Sequence, residues 1–378
     1  MGVGITFVKP AFCKNPKSNC LLFTENRPSM IIRFKRFLRI LFIFLLMILV
    51  FMAYQGWRYI LAPNVNIKGA KAYLYIPTGA NFNDVCNILD SAGYLRSMKT
   101  FKWLARQKDY PRHVKAGRYK LTQGMNNREL INLLRSGRQE PVSLILRKFR
   151  TLPQIAAYLG KNLEPDSAQF MHVLTDPGLL SQFHLSPQTA MSVFIPNTYY
   201  VFWNVAADEL LKRMYREFDT FWDSTRMAKA RSLHLTPIEV ITLASIVEEE
   251  SNAEEEYPVI AGVYINRLRK GMPLQADPTV RYAIQDFQIK RILLKHLSYP
   301  SPYNTYLHRG LPPGPICTPS AAAIDGVLNY TQHNFLYFCA KPDFSGRHVF
   351  AQTLSQHNIN ARAYQQALRN WLKKQKNN

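Results

Sequence analysis

An uncharged apolar run from Ile40 to Tyr54 (ILFIFLLMILVFMAY) constrains this chain more than any other feature. Extended to Trp57, it reaches the lower end of the roughly 17–25 residues that a helix needs to cross the hydrocarbon layer of a membrane. Trp57 and Tyr59 follow at its far end, where interfacial aromatic residues belong. A buried core helix fits less well, because a strongly basic segment precedes the run. We therefore predict a transmembrane helix over residues 40–60.

The segment before this run, residues 1–39, predicts how the helix is oriented. A single acidic residue, Glu25, opposes eight basic side chains there: Lys9, Lys14, Lys17, Arg27, Arg33, Lys35, Arg36 and Arg39. The positive-inside rule then places this basic N-terminus in the cytoplasm and everything after residue 60 outside. A cleaved signal peptide is the alternative, although no small-x-small cleavage site follows the run. Both Met1 and Met30 remain open as the start of the chain.

The charge of the chain narrows the class of partner. The formal net charge is +23, from 48 Lys and Arg against 25 Asp and Glu. Nucleic acid does not fit as a partner outside the cytoplasm, whereas an anionic envelope polymer such as peptidoglycan, with its carboxylate-bearing stems, does. A basic surface that only aids solubility stays open as the alternative. The hydrophobic share of 47% and aromatic share of 12% exclude a disordered chain.

Beyond the anchor, the pattern predicts an α+β fold in two parts. In residues 66–145, short strands alternate with short helices, which indicates a small α+β module. This module shows no catalytic constellation, so we expect it to bind or to act as a spacer. Residues 146–373 are predicted to form a mixed, mainly helical domain that contains a long loop rich in proline and glycine at 301–319. Such a loop in a compact domain is functional or disordered, and its tyrosines favour order.

A helix that begins at Thr236 carries the strongest candidate for chemistry. Thr236 and Glu239 form a capping-box pattern, and Pro237 stands at the first helical position. The helix ends in three consecutive glutamates. At 100° per residue, Glu250 shares a face with Leu243, Ile246 and Val247.

Of these glutamates, only Glu250 is therefore directed into an apolar surround. Glu249 falls with Thr242 and Ser245 on the polar side, and we expect it to face solvent. Burial raises the pKa of a carboxyl group, as a general acid near neutral pH requires. Glu250 is therefore the predicted acid, although a merely solvated helix end remains the alternative.

Two further segments predict a sugar-binding cleft around this acid. Gln275 and Asp277 lie in LQADPTVRYA (274–283) beside a turn fixed by proline, and Asn304 and Tyr306 lie in YNTY (303–306). Amide and aromatic side chains suit sugars, because amides bond to hydroxyl groups and rings stack on the pyranose. Ordinary turn chemistry is the alternative for both segments.

The sequence gives little support for metals, cofactors or disulfides. His348 and His357 could ligate a metal, but no H-x-x-x-H or carboxylate spacing supports this, and we predict no metal and no cofactor. The five cysteines are too few for a disulfide scaffold: Cys13, Cys20, Cys86, Cys317 and Cys339. Whether Cys317 and Cys339 pair is left open.

These segments together resemble the YceG-like family of endolytic murein transglycosylases. The matching pieces, in order and spacing, are FIPNTY (194–199), LASIVEEES (243–251), INRLRKGMPLQADPTVRYA (265–283), YNTY (303–306), GLPPGPI (310–316) and His357-Asn358. Residues 76–89 and 116–137 resemble that family's LysM-like module. The resemblance covers about residues 66–370 together with the anchor. Two positions depart from the family pattern: Asn197 stands where Asp is usual, and Ser251 where Thr is frequent, so a carboxylate role at residue 197 is in doubt.

The resemblance implies a single-pass inner-membrane lyase whose domain faces peptidoglycan. It would cut the β-1,4 bond between N-acetylmuramic acid and N-acetylglucosamine within strands and leave 1,6-anhydromuramoyl ends. The family's catalytic glutamate corresponds to Glu250, and Gln275, Asp277, Asn304 and Tyr306 are candidates for holding the sugar. Peptidoglycan synthases remain an open class of further partner. A non-catalytic envelope-binding protein and a muramidase that uses Glu250, Asp277 and water are the alternatives.

Overall fold

The computed structural model describes residues 30–289 and 291–377, and the chain divides after Ala62 into two compact units. In the first unit, helix α1 spans Met30–Ile60. Its stretch Ile32–Ile60 contains an 18-residue window with a mean hydropathy of 2.6 and is long and apolar enough to cross a membrane. The predicted span of residues 40–60 lies inside this helix. Most of the predicted basic flank, residues 1–29, lies outside the described residues.

The second unit begins with a two-stranded antiparallel sheet and three helices. Strands β1 (Lys71–Ile76) and β2 (Gly117–Thr122) pair antiparallel. Helices α2 (Phe82–Ser91) and α3 (Met98–Gln107) connect them, and α4 (Asn127–Ser136) follows. Asparagine caps start α2 and α4, and α4 stops at Gly137, whose φ of 74° suits glycine. Each element agrees with the predicted pattern, while the likeness to a LysM module remains a prediction.

Strand β3 (Val142–Ile145) belongs with later residues. It pairs antiparallel with β4 (Thr198–Val201) and makes no ladder with β1 or β2. A boundary after residue 145 would therefore separate β3 from its partner strand. We propose that the N-terminal module ends between residues 137 and 141.

The remainder of the chain is mainly helical, as predicted. Its helices are α5 Leu152–Asn162, α6 Ser167–Thr175, α7 Pro177–Ser181, α8 Ala207–Phe221, α9 Ser224–Ser232, α10 Pro237–Glu250, α11 Tyr257–Arg269, α12 Asp277–Ile284, α13 Leu294–Leu297, α14 Ala321–Leu328 and α15 Leu354–Asn377. Strands β5 (Tyr337–Ala340) and β6 (His348–Ala351) form an antiparallel pair. The segment predicted as a turn around Asp277 is instead the start of α12, since Pro278 is compatible with a first helical turn.

Helix α10 lies at the centre of the second unit. Every residue from Val240 to Val247 is buried, and the helix packs against α11, α12 and α14. The loop at 301–319 contains no helix or strand, and its later part packs onto α10, where the Ile316 amide donates to Ser245 Oγ at 3.0 Å. The fold therefore surrounds the helix that ends in the three glutamates.

Candidate active site

Glu250 is the last residue of α10, where the helix emerges from the core. The predicted capping box is present at the other end: the Glu239 amide donates to Thr236 Oγ1 and the Thr236 amide donates to Glu239 Oε2. Leu243, Ile246 and Val247, which share the face of Glu250, are all buried. The Glu250 side chain is itself half-buried and lies on the wall of a cavity. The helix thus delivers one carboxyl group from an apolar interior to an open cleft.

The surroundings of Glu250 favour the protonated carboxyl group. Burial raises its pKa to about 7, and the nearby Asp277 carboxylate adds to the increase. The Tyr264 hydroxyl donates to Glu250 Oε1 at 2.7 Å and partly opposes the shift, because this hydrogen bond stabilises the charged form. A carboxyl group with this pKa can both give and take a proton near neutrality.

The cavity beside Glu250 has a volume of about 380 Å³. Its walls come from α10, α11, the start of α12, the 301–319 loop, the β5–β6 pair and α15. Polar and aromatic side chains predominate on these walls: Glu250, Tyr264, Arg267, Gln275, Asp277, Tyr306, Tyr337, Phe338, His348 and His357. Such a lining suits a polyhydroxylated ligand that has both polar groups and apolar ring faces.

Gln275 is held in a fixed orientation on the cavity wall. Its backbone has φ 52°, a left-handed conformation that is uncommon outside glycine. The backbone N–H of Gln275 donates to the Thr305 carbonyl at 3.0 Å. Arg267 Nη2 donates to Gln275 Oε1. Because the guanidinium group is only a donor, the amide oxygen must face it, and the Gln275 NH₂ group is left to donate elsewhere.

Asp277 and Tyr306 are brought together, as the predicted cleft required. The Tyr306 hydroxyl donates to Asp277 Oδ1 at 2.6 Å, and both side chains line the cavity. The segments that carry them are joined beneath by Thr305: its Oγ1 accepts from the Ala276 amide at 3.0 Å and lies 2.8 Å from Thr279 Oγ1. This buried network fixes one segment against the other.

Asn304 does not reach the cavity, which corrects its prediction as a sugar-binding residue. The residue is 0% exposed. Its Nδ2 donates to the carbonyls of Leu297 and Tyr299, both at 2.9 Å, and its Oδ1 accepts from the Tyr306 amide at 3.0 Å. The side chain shapes the loop that presents Tyr306.

The expectation that Glu249 faces solvent was wrong. Its side chain is 11% exposed and forms ion pairs with Lys148 Nζ at 2.9 Å and Arg150 Nη2 at 3.0 Å. The neighbouring polar residues Thr242 and Ser245 are buried too, and their hydroxyls donate to the carbonyls of residues one turn earlier. Hydroxyl groups satisfied by their own helix pack like small apolar residues, so α10 has no solvated face along its centre.

The two histidines considered as metal ligands contact other side chains. His348 Nδ1 lies 2.8 Å from Glu256 Oε2, and Glu256 also accepts from the Ser251 hydroxyl at 3.0 Å, which ties β6 to the end of α10. His357 stacks on Tyr337 with ring centroids 5.5 Å apart. Within residues 30–289 and 291–377, no group of three or more His, Cys, Asp or Glu side chains could hold a metal ion.

The sequence reasoning missed Tyr264 and Arg267 as parts of the site. They are three residues apart on α11 and therefore share one helix face. The signal that could have found them is a tyrosine and an arginine three residues apart on a largely apolar helix. His357, which the sequence offered as a possible metal ligand and as part of the family pattern, lines the same cavity.

Comparison with known proteins gives consistent similarities. The sequence profile of the YceG-like family matches residues 74–363. The endolytic murein transglycosylase of Bacillus subtilis (strain 168) is 30% identical over 299 residues, which are 75% of this chain and 82% of that protein. The protein of the same name in Streptococcus pneumoniae serotype 2 (strain D39) is 30% identical over 357 residues, which are 84% of this chain and 64% of that protein.

A solved structure extends the similarity to the fold. The crystal structure of a YceG-like protein from Listeria monocytogenes superposes with a TM-score of 0.52 at 26% sequence identity. The superposition covers 77% of this chain and 98% of that one.

Proposed function

The chain belongs to the YceG-like family, and we propose that Glu250 makes it a lytic enzyme that cleaves peptidoglycan strands internally. Its relatives in Bacillus subtilis and Streptococcus pneumoniae are named endolytic murein transglycosylases, which are lyases, and this similarity supports the same activity for this chain. The bond proposed is the β-1,4 link between N-acetylmuramic acid and N-acetylglucosamine. The observation that carries this proposal is a half-buried carboxyl group with a pKa of about 7 on the wall of a polar, aromatic cleft.

The proposed mechanism uses one carboxyl group twice. Protonated Glu250 gives its proton to the glycosidic oxygen as the bond to C1 of the muramic residue breaks. The resulting carboxylate takes the proton from the C6 hydroxyl of the same sugar, and O6 bonds to C1 to close a 1,6-anhydro ring. No water is consumed and Glu250 ends protonated. Ordinary glycosidases need a second carboxylate, whereas here the nucleophile belongs to the substrate.

The cavity offers three side chains that we propose hold the sugar. Gln275, oriented by Arg267, presents its NH₂ group as a donor for a hydroxyl or acetamido oxygen. Asp277 and Tyr306 form a hydrogen-bonded pair whose carboxylate keeps a free oxygen for a hydroxyl group and whose ring supplies an apolar surface. Together they would hold the C6 hydroxyl within reach of Glu250.

The position of Asp277 is also compatible with a second mechanism, hydrolysis by a muramidase. Asp277 lies in the same cavity as Glu250, and a muramidase would use these two carboxyl groups with water. Digestion of purified glycan strands with the full chain separates the possibilities by product. We expect 1,6-anhydromuramoyl ends. Reducing ends would favour the muramidase, and an absence of cleavage would favour a binding protein.

The bond from Tyr264 to Glu250 predicts a shift in pH dependence. This hydrogen bond lowers the pKa of Glu250, so Tyr264→Phe should raise that pKa above about 7. A general acid acts when protonated, so wild-type activity should fall as pH rises through about 7, and the variant's fall should lie at higher pH. The measurement is kcat/KM against pH. Tyr303→Phe, a tyrosine that does not line the cavity, should leave the profile in place, and a shift of the Tyr264→Phe profile to lower pH would contradict the assignment.

We propose that α1 anchors the enzyme in the inner membrane with the N-terminus in the cytoplasm. The apolar stretch and the basic residues at its start support this orientation. Peptidoglycan would then meet the second unit outside the cytoplasm, and peptidoglycan synthases in the same membrane are proposed as further partners. A reporter enzyme fused after residue 378 should be active only outside the cytoplasm, and cytoplasmic activity of that fusion would reject this topology.

A further inference from the structure

An uncovered aromatic surface lies on the β3–β4 ribbon, away from the residues that line the catalytic cavity. Tyr200 is 63% exposed and Phe202 is 54% exposed, whereas Tyr199 and Val201 between and beside them are buried. Side chains two residues apart in an extended chain point to the same side, about 7 Å apart. We call Tyr200 and Phe202 the aromatic strip.

A second aromatic contact follows the strip in the chain. Trp203 follows Phe202 directly, and its ring meets that of Tyr75 on β1 edge to face, with centroids 5.1 Å apart. Tyr75 is itself exposed. The Tyr75–Trp203 contact therefore joins the proposed catalytic domain to the module before it. Adjacent exposed rings of this kind are uncommon on a surface that only meets water.

A groove of about 610 Å³ lies beside the strip, and its wall combines rings with hydrogen-bonding groups. Tyr200 and Phe202 form one part of it, and Asn204, Arg213 and Arg216 form another. Arg213 is paired with Glu217, but Arg216 is exposed and forms no ion pair with any residue that the structure describes. The groove thus offers ring faces, an amide and a cation that is free to bind a carboxylate.

The segment that follows β3 connects the ribbon to the glutamates at the end of α10. Lys148 and Arg150, three and five residues after the end of β3, bind Glu249, the neighbour of Glu250. From Ile145 to Lys148 the chain can span at most about 10 Å. A polymer bound along the ribbon could therefore run from the strip towards the catalytic cavity.

We infer that the aromatic strip and the groove beside it form a second glycan-binding site, which holds a peptidoglycan strand away from the bond that is cut. The inference rests on the proposed function and extends it. The C–H faces of pyranose rings would stack on Tyr200 and Phe202, and Asn204 would bond to hydroxyl or acetamido groups. Arg216 would pair with a carboxylate of a stem peptide. Protein interfaces are also rich in aromatic and arginine side chains, so the choice of glycan rests on the proposed substrate and on exposed Arg216, whose charge complements the carboxylates of the stem peptides.

The test measures binding separately from cleavage. The full chain carrying Glu250→Gln, in detergent, is sedimented with insoluble peptidoglycan, and Kd is obtained from the bound fraction. Adding Tyr200→Ser and Phe202→Ser should raise Kd about tenfold, as expected for two ring anchors. The matched control is Phe344→Ser with Trp371→Ser, another exposed pair of neighbouring rings, which should leave Kd unchanged. An unchanged Kd for the strip variant, or an equal loss in both pairs, would overturn the inference.

A second variant guards against misfolding of the first. Arg216→Glu changes one exposed side chain and should weaken binding to peptide-bearing glycan more than to glycan stripped of its peptides. An equal fractional loss of binding to both glycans in Arg216→Glu, relative to wild type, would reject the role of Arg216. In the wild-type background, the strip variant should cut short soluble fragments with normal kcat and cut whole peptidoglycan with raised KM. Because these readouts do not depend on the kind of end produced, failure of the site and failure of the proposed chemistry are distinguishable.

Discussion

Glu250→Gln should reduce the formation of anhydromuramoyl ends by about 10³–10⁴-fold or more while the protein stays folded. The amide retains the size of the side chain and can still accept from Tyr264, but its N–H groups are far too weakly acidic to protonate a leaving oxygen. General acid–base groups typically contribute about 10²–10⁴-fold, and one group that serves both proton transfers should lie at the upper end. The measurement is the rate of appearance of anhydro ends, with a thermal melt to check folding.

The adjacent Glu249 provides the control, because the structure gives it a different role. Glu249→Gln breaks the ion pairs with Lys148 and Arg150 and should lower the free energy of unfolding by about 1–2 kcal/mol, with cleavage largely retained. Glu254→Gln, an exposed change close by, should stay within about 0.5 kcal/mol of wild type. Near-normal cleavage by folded Glu250→Gln would show that the proposed mechanism is wrong.

Gly314→Ala should destabilise the fold by about 3 kcal/mol, which corresponds to a fall in Tm of roughly 5–10 °C. A Cβ atom at position 314 would stand 2.0 Å from the carbonyl oxygen of Gln188 and 2.8 Å from its carbon. Both atoms belong to the backbone, so no side-chain rotation can relieve the contact. The loop that carries Gly314 also presents Tyr306 to the cavity, so cleavage should fall along with stability.

Gly310 in the same loop is the control. It distinguishes a glycine required by its backbone conformation from one required by the close approach of another segment. It has φ 84°, but a Cβ atom there would meet nothing within 4 Å. Gly310→Ala should therefore cost only the backbone strain of a left-handed alanine, about 1 kcal/mol. The measurement for both variants is thermal and denaturant unfolding. A larger loss at position 310 than at 314 would contradict the close approach of the backbone segments.

Local pattern predicted the secondary structure where neighbouring residues alone decide it. The strand at β1, the helix after Asn81 and the capping box at Thr236 all depend on residues within one or two turns of each other. The same local information misassigned the start of α12, because a proline in the first turn of a helix looks like a proline in a turn.

Helix register by itself identified Glu250 as the glutamate on the apolar face, and the uncharged run by itself predicted an apolar N-terminal helix. Both depend on periodicity and length, which a sequence displays directly. Only the tertiary structure decided what Thr242, Ser245 and Glu249 face, because a polar side chain satisfied by its own helix or by a distant cation cannot be distinguished in sequence from a solvated one. It also showed that the Asn304 side chain donates to backbone carbonyls, whereas Tyr306 donates to Asp277. It showed as well that Arg267 donates to the side chain of Gln275. These outcomes depend on contacts between segments far apart in the chain, and no local pattern encodes which carbonyl, carboxylate or cavity a side chain will meet.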